Sequence, residues 1–161
     1  MNEILKQLSD LSLIHNRKKY PNLPEFGLIR TKYDDRTSNG LTKCIIDFLT
    51  FKGHHAERIS ISGRMIDERK TVYDVLGNSK VIGSQKFVKS NMTKGTADIS
   101  STIYGRSVKI EVKIGKDKQS EFQIKYQNNI IAAGGLYIVA KSFELFANWY
   151  LLTFERRNNE N

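Results

Sequence analysis

The dipeptide Tyr104-Gly105 is the only turn signal between two stretches that read as strands, and it fixes how they pair. A two-residue turn there sets Ile103 opposite Arg106. Counting outward then places Asp98 directly across from Glu111. Opposed residues on antiparallel strands point to one face, with Cβ atoms about 4.5–5.5 Å apart. Lys113 lies two residues beyond Glu111 and shares that face, because strand side chains alternate with a period of two. The other face collects Ile99, Val108, Ile110 and Val112 and can be buried. One small patch therefore gathers two acids and an ammonium group.

Adjacent carboxylates repel one another unless a cation sits between them, and Mg²⁺ favours such oxygen pairs. Two readings follow from the residues. One is a metal site suited to phosphodiester hydrolysis; the other is a solvated sheet face with alternating charge. Three features favour the first. Gly95 precedes Asp98 and is expected to keep the backbone accessible. The loop after Lys113 carries Lys116 and Lys118. The whole chain is basic, with 26 Lys and Arg against 17 Asp and Glu, a net charge of +9. Such a surplus points to a polyanionic partner, most simply nucleic acid, and surface charge kept for solubility is the plainer account.

With 161 residues the chain has room for one domain with a core. Hydrophobic residues make up 39% and charged ones 27%, a globular balance. No run approaches the roughly 18 apolar residues of a membrane span, and the first residues lack the order of a secretion signal. The single cysteine, Cys44, excludes an internal disulfide and a cysteine-based zinc finger. The expectation is a cytoplasmic protein with no membrane association.

Ile4, Leu5, Leu8, Leu11 and Ile14 show helical spacing, and Pro21 and Pro24 stop that helix from continuing. Residues 1–36 are expected to form an N-terminal appendage that packs on the domain or mediates self-association, which leaves a homodimer open. A second helix is expected from Ser38-Asn39 to Lys52, with Leu41, Ile45, Phe48 and Leu49 on one face and Gly53 as its C-terminal cap. His54 and His55 read as helix-end residues that offset the dipole, not as metal ligands. From Ala56 to Ser90 the pattern turns to strand, with Ile59 and Ile61 alternating with serines. Arg58, Arg64, Arg69, Lys70, Lys80, Lys86, Lys89 and Lys94 line this stretch and suit a nucleic-acid backbone.

Ser120 and Gln123 have capping-box spacing, with Phe122, Tyr126 and Ile130 on one face of the helix that follows. Gly134-Gly135 end that helix. Leu136–Ala140 reads as a buried strand, and Ser142 caps a last helix with Phe143, Phe146 and Trp149. Residues 154–161 read as a polar tail. The predicted class is α/β (α+β), a mixed central sheet flanked by helices, with a β-rich insertion.

These blocks in this order resemble the PD-(D/E)XK nuclease superfamily, and more narrowly its VRR-NUC branch. The resemblance rests on Lys94-Gly95-Thr96-Ala97-Asp98-Ile99, Ile110-Glu111-Val112-Lys113, Ser120-Glu121-Phe122-Gln123 and Gly134–Ala140. It covers roughly residues 38–150 and implies a nuclease domain over 37–153 with a restriction-endonuclease-like core. It implies that Asp98, Glu111 and the Val112 main-chain carbonyl hold Mg²⁺ or Mn²⁺, and that Lys113 orients or helps deprotonate water. It also implies that Gln123 points back to the site, although a capping box would occupy the same side chain. Arg58, Arg64, Lys94, Lys116 and Lys118 are the expected nucleic-acid contacts. The implied partner is double-stranded or branched DNA, in a bacterium or phage-infected host. An RNA-directed nuclease and a non-catalytic nucleic-acid-binding module stay open. Many relatives carry a glutamate on the first helix of the domain. Here that helix start has none, and Asp47 lies one to two turns later.

Overall fold

The computed structural model describes residues 3–60, 63–88 and 93–155. Ile61, Ser62, Lys89 and the tail residues 156–161 named above lie outside that range. The chain divides into two compact units, Met1–Ile59 with Lys94–Asn161 and, separately, Ser60–Thr93. Among the described residues no helix is long and apolar enough to cross a membrane.

In the first unit, helix α1 (Glu3–Lys19) and helix α2 (Ser38–Phe51) precede strand β1 (His55–Arg58). Thr37 caps α2 by accepting the Gly40 N–H at 3.1 Å. Position 40 has to be glycine, since a Cβ there would lie 2.1 Å from the Asp34 carbonyl oxygen. The α2 stripe Leu41, Ile45, Phe48 and Leu49 is buried, as its spacing predicts. The Phe48 ring meets Phe143 and Tyr150 edge-on, at 5.6 and 5.1 Å between centroids. Leu5, Leu8 and Tyr33, from the segment read as an appendage, belong to this same core.

The sheet of this unit is mixed. Strands β6 (Ile99–Ile103) and β7 (Arg106–Val112) pair antiparallel, β1 pairs antiparallel with β6, and β8 (Leu136–Ala140) runs parallel to β7. The β7–β8 connection crosses over through helix α3 (Glu121–Ala132), as a parallel pair requires. Ile99, Ile103, Val108 and Ile110 join the core with α2 and with helix α4 (Phe143–Tyr150), while α3 reaches the opposite face through Gln123. Helices therefore flank the sheet on both sides.

At the β6–β7 turn, Tyr104 (φ 47°) and Gly105 (φ 76°) both take positive φ, the pattern of a type I′ hairpin. A left-handed tyrosine costs about 1–2 kcal/mol. Its ring packs on His54 at 4.7 Å and Phe154 at 6.0 Å, which offsets part of that cost. Phe154 corrects the expected tail boundary. It is buried in a π-helical turn (Leu151–Glu155), and Glu155 pairs with Lys52 at 2.9 Å. His54 is also corrected. Its Nε2 bonds the Tyr150 hydroxyl at 2.7 Å, and burial, with Lys52 nearby, lowers its pKa. A ring pushed toward neutrality does not offset a helix dipole.

The second unit is a two-stranded ribbon. Strand β2 (Arg64–Asp67) pairs antiparallel with β5 (Gln85–Val88), and β3 (Lys70–Tyr73) with β4 (Ser79–Ile82). Glu68 N–H bonds the Ser84 carbonyl at 3.1 Å where the two halves join. Gly83 sits there at φ 95°, and a Cβ would lie 2.4 Å from the Glu68 oxygen.

Candidate active site

Pairing of Ile103 with Arg106 and Ile99 with Ile110 is the register the turn predicts. Asp98 immediately precedes β6 and stays in register: its carbonyl accepts the Ile59 N–H at 2.8 Å, and its carboxylate Oδ2 accepts the Val112 N–H at 2.8 Å. The Asp98 side chain is thereby fixed to the strand that carries Glu111. Among the described residues nothing bonds its Oδ1, and the residue is half-buried.

Glu111 is only 1% exposed. Its Oε1 accepts from the Gln123 amide and lies 3.2 Å from Lys113 Nζ, while the Tyr137 hydroxyl stands 3.4 Å from its Oε2. Burial first, and the Asp98 charge second, push its carboxyl up to about 7, against the opposing pull of Lys113. The one ammonium beside it, Lys113, does not outweigh burial and the neighbouring acid. Lys113 is also buried, and its ammonium reaches Asp117 at 3.3 Å. Burial lowers its pKa, but Glu111 and Asp117 outweigh that and hold it above the ordinary lysine value.

Gln123 satisfies both expectations for it. Its Oε1 accepts the Ser120 N–H at 2.9 Å, and the Ser120 hydroxyl accepts the Gln123 N–H, completing the capping box. Its Nε2 then donates to Glu111. An amide has an acceptor and a donor end, so cap and site do not compete for it.

Asp98, Glu111, Val112, Lys113 and Gln123 thus come together. Lys94 stands near them, its ammonium 5.5 Å from the centroid of Phe122 beside Gln123. Lys116 and Lys118 are exposed on the loop after Lys113. Arg58 does not join the carboxylates. It pairs with Ile99, so it leaves the sheet on the face opposite the carboxylates. Arg64 belongs to β2 of the second unit.

Gly95 does something other than expose backbone. A Cβ there would lie 2.3 Å from the Phe122 carbonyl oxygen and 2.7 Å from the Gln123 nitrogen, so the glycine, at φ 81°, lets the chain before Asp98 press against the start of α3. Tyr137 and Asp117 are not among the residues the sequence singles out. Tyr137 depends on the parallel β7–β8 register, which no short turn sets. Asp117 stands four residues after Lys113, but across a loop containing Gly115, so helical spacing would not reveal it.

Asp47 bonds the Tyr33 hydroxyl at 2.8 Å and pairs with Lys43. Among the described residues no group of three or more His, Cys, Asp and Glu is arranged to hold a metal ion. The donors available at the site are two carboxylates and a main-chain carbonyl. Mg²⁺ commonly takes one or two carboxylates and keeps several waters, so this set fits one such ion. No protein-family model and no curated protein matches the chain.

Proposed function

We propose that the chain is a metal-dependent nuclease that hydrolyses DNA phosphodiester bonds, an endonuclease on a restriction-endonuclease-like core of the PD-(D/E)XK type and its VRR-NUC branch. The observation that carries this reading is the opposition of Asp98 and Glu111 across the β6–β7 hairpin, with Lys113 Nζ 3.2 Å from Glu111.

Asp98, Glu111 and the Val112 carbonyl are the groups that would hold Mg²⁺ or Mn²⁺. A bound divalent ion supplies Lewis-acid charge at the phosphate and lowers the pKa of water. The rest falls to the chain's own residues. Hydrolysis joins a water oxygen to phosphorus, breaks a P–O bond, and leaves one water proton for the departing sugar oxygen. An ammonium has three N–H groups. Lys113 directs two at Glu111 and Asp117, which leaves one for the attacking water or a phosphate oxygen. Since its pKa is raised, it orients water and offsets charge as an ammonium. Gln123 and Tyr137 hold Glu111 in place, and Lys94, Lys116 and Lys118 supply positive charge for the DNA backbone.

Plasmid, branched and single-stranded DNA, incubated with the purified protein plus and minus Mg²⁺ and Mn²⁺, test the proposal. Cleavage that EDTA stops supports it. Binding without cleavage in either metal replaces it with a non-catalytic nucleic-acid-binding module, a reading favoured by the engagement of Asp47 with Tyr33 and Lys43. Cleavage confined to RNA overturns the choice of DNA.

A further inference from the structure

Among its described residues the ribbon of the second unit has no core of its own. Among its described strand residues only Ile66 is even half-buried. Its tip is nevertheless closely built. Asp74 Oδ1 accepts the N–H groups of Leu76 at 2.9 Å and Asn78 at 2.8 Å, its Oδ2 accepts the Asn78 amide at 3.0 Å, and Gly77 turns the chain at φ 82°. This turn holds two apolar side chains in water, Val75 at 102% and Leu76 at 84% exposure. Reversing the chain needs neither of them, because polar residues serve a turn as well.

Charge indicates what covers the tip. Residues 60–93 contain six Lys and Arg against three Asp and Glu. Arg69 is tied to Asp67 at 2.7 Å and Lys86 to Glu68 at 2.6 Å. Lys70 and Lys80, in the strands that adjoin the tip, form no ion pair among the described residues. Lys70 pairs with Ile82 and Lys80 with Val72, so both lysines lie on one face of the ribbon. Two ammonium groups with no ion pair among the described residues, behind a pair of aliphatic side chains, match duplex DNA, in which lysines meet phosphates while an apolar wedge enters between base steps and unstacks them. A two-stranded ribbon also has the width to enter a groove. A membrane surface suits it less, since interfacial anchors spread an apolar face along their length instead of concentrating it at one tip.

We propose that this ribbon is a DNA-binding element whose Val75-Leu76 tip wedges into a weakly stacked step, so that nicked, mismatched or branched duplexes are preferred over intact ones. This rests on the nucleic-acid part of the reading above and not on hydrolysis, and the test is accordingly run in EDTA. The full chain is titrated onto intact and nicked duplexes carrying 2-aminopurine at the nick, with salt varied around 0.15 M. Wild type should bind the nicked duplex more tightly and raise the 2-aminopurine fluorescence. The Val75→Ser/Leu76→Ser variant should lose that rise and its preference for the nick while keeping affinity for intact duplex within about threefold, and Val75→Ile/Leu76→Met should retain both. Lys70→Ser/Lys80→Ser should weaken binding about tenfold and make the salt dependence shallower by about two units of slope. An unchanged fluorescence rise in the serine tip variant overturns the wedge, as does absence of DNA binding by wild type. Loss of binding to phosphatidylglycerol vesicles in that variant, with DNA binding unaltered, overturns it in favour of a membrane. A separate Mg²⁺ cleavage assay that gives no product while the fluorescence signal persists removes the nuclease reading and leaves the ribbon proposal standing.

Discussion

Gln123 links the start of α3 to the buried acid of β7. One end of its amide completes the capping box with Ser120, and the other donates to Glu111. Replacing it separates these contributions. Gln123→Ala should lower stability in urea unfolding by about 1 kcal/mol through loss of the cap. Removing a group that orients a ligand should also lower cleavage about 10–100-fold. Gln123→Glu keeps an acceptor for the Ser120 N–H but sets a carboxylate against Glu111, so stability should suffer less than cleavage. Wild-type cleavage by both variants would reduce Gln123 to a helix cap.

The proposed chemistry makes a sharper demand on Asp98, Glu111 and Lys113. Asp98→Asn, Glu111→Gln and Lys113→Ala should each reduce cleavage by about 10³-fold or more, the scale seen when one preorganised charge contact is removed. DNA affinity measured in EDTA should stay within about threefold. Retained cleavage in Glu111→Gln and Lys113→Ala together rules out this site.

Gly95 offers a test away from the charged groups. At φ 81°, with the Phe122 oxygen in the space a Cβ would fill, Gly95→Ala should force α3 away from the residues leading into Asp98. We expect a lower melting temperature and a fall in cleavage larger than in DNA binding. A variant equal to wild type in both would mean that the contact between Gly95 and α3 is not needed.

His54 gives the fold a pH dependence unrelated to the carboxylates. Its pKa is lowered in the folded protein, by burial first and Lys52 second, so between the folded and unfolded values the unfolded chain binds more protons. Its contribution to stability is present above the ordinary histidine value and declines as pH falls through that value toward the folded one. Melting temperatures from pH 8 to pH 5 should therefore fall more steeply for wild type than for His54→Phe. That variant keeps a ring against Tyr104 and Tyr150 but cannot titrate. Parallel curves for the two proteins would contradict this assignment.

What the sequence disclosed was governed by how local each relationship is. The Asp98–Glu111 opposition was legible because a two-residue turn leaves a hairpin one register, and the Ser120–Gln123 cap because it spans one helical turn. Tyr137 was not, since it reaches Glu111 through a parallel pair closed by a whole crossover. Arg58 was read by its charge alone, and the β1–β6 pairing that turns it to the other face has no short loop to announce it. Phe154 was hidden by the polar residues after it, although its ring lies 5.6 Å from Tyr150. Gly95 stands out in the sequence as a glycine before Asp98, but the crowding by a distant helix that requires it leaves no trace in neighbouring residues.

The same hairpin has a consequence for how the molecule assembles. Asp98 and the Val112 N–H meet after a single tight chain reversal, a closure with little entropic cost that can take place early in folding. Gln123 and Tyr137 arrive only when the chain has crossed over and laid β8 beside β7. The hairpin alone can therefore set the spacing of the two acids, and the groups that enclose Glu111 are added only by the longer-range pairing.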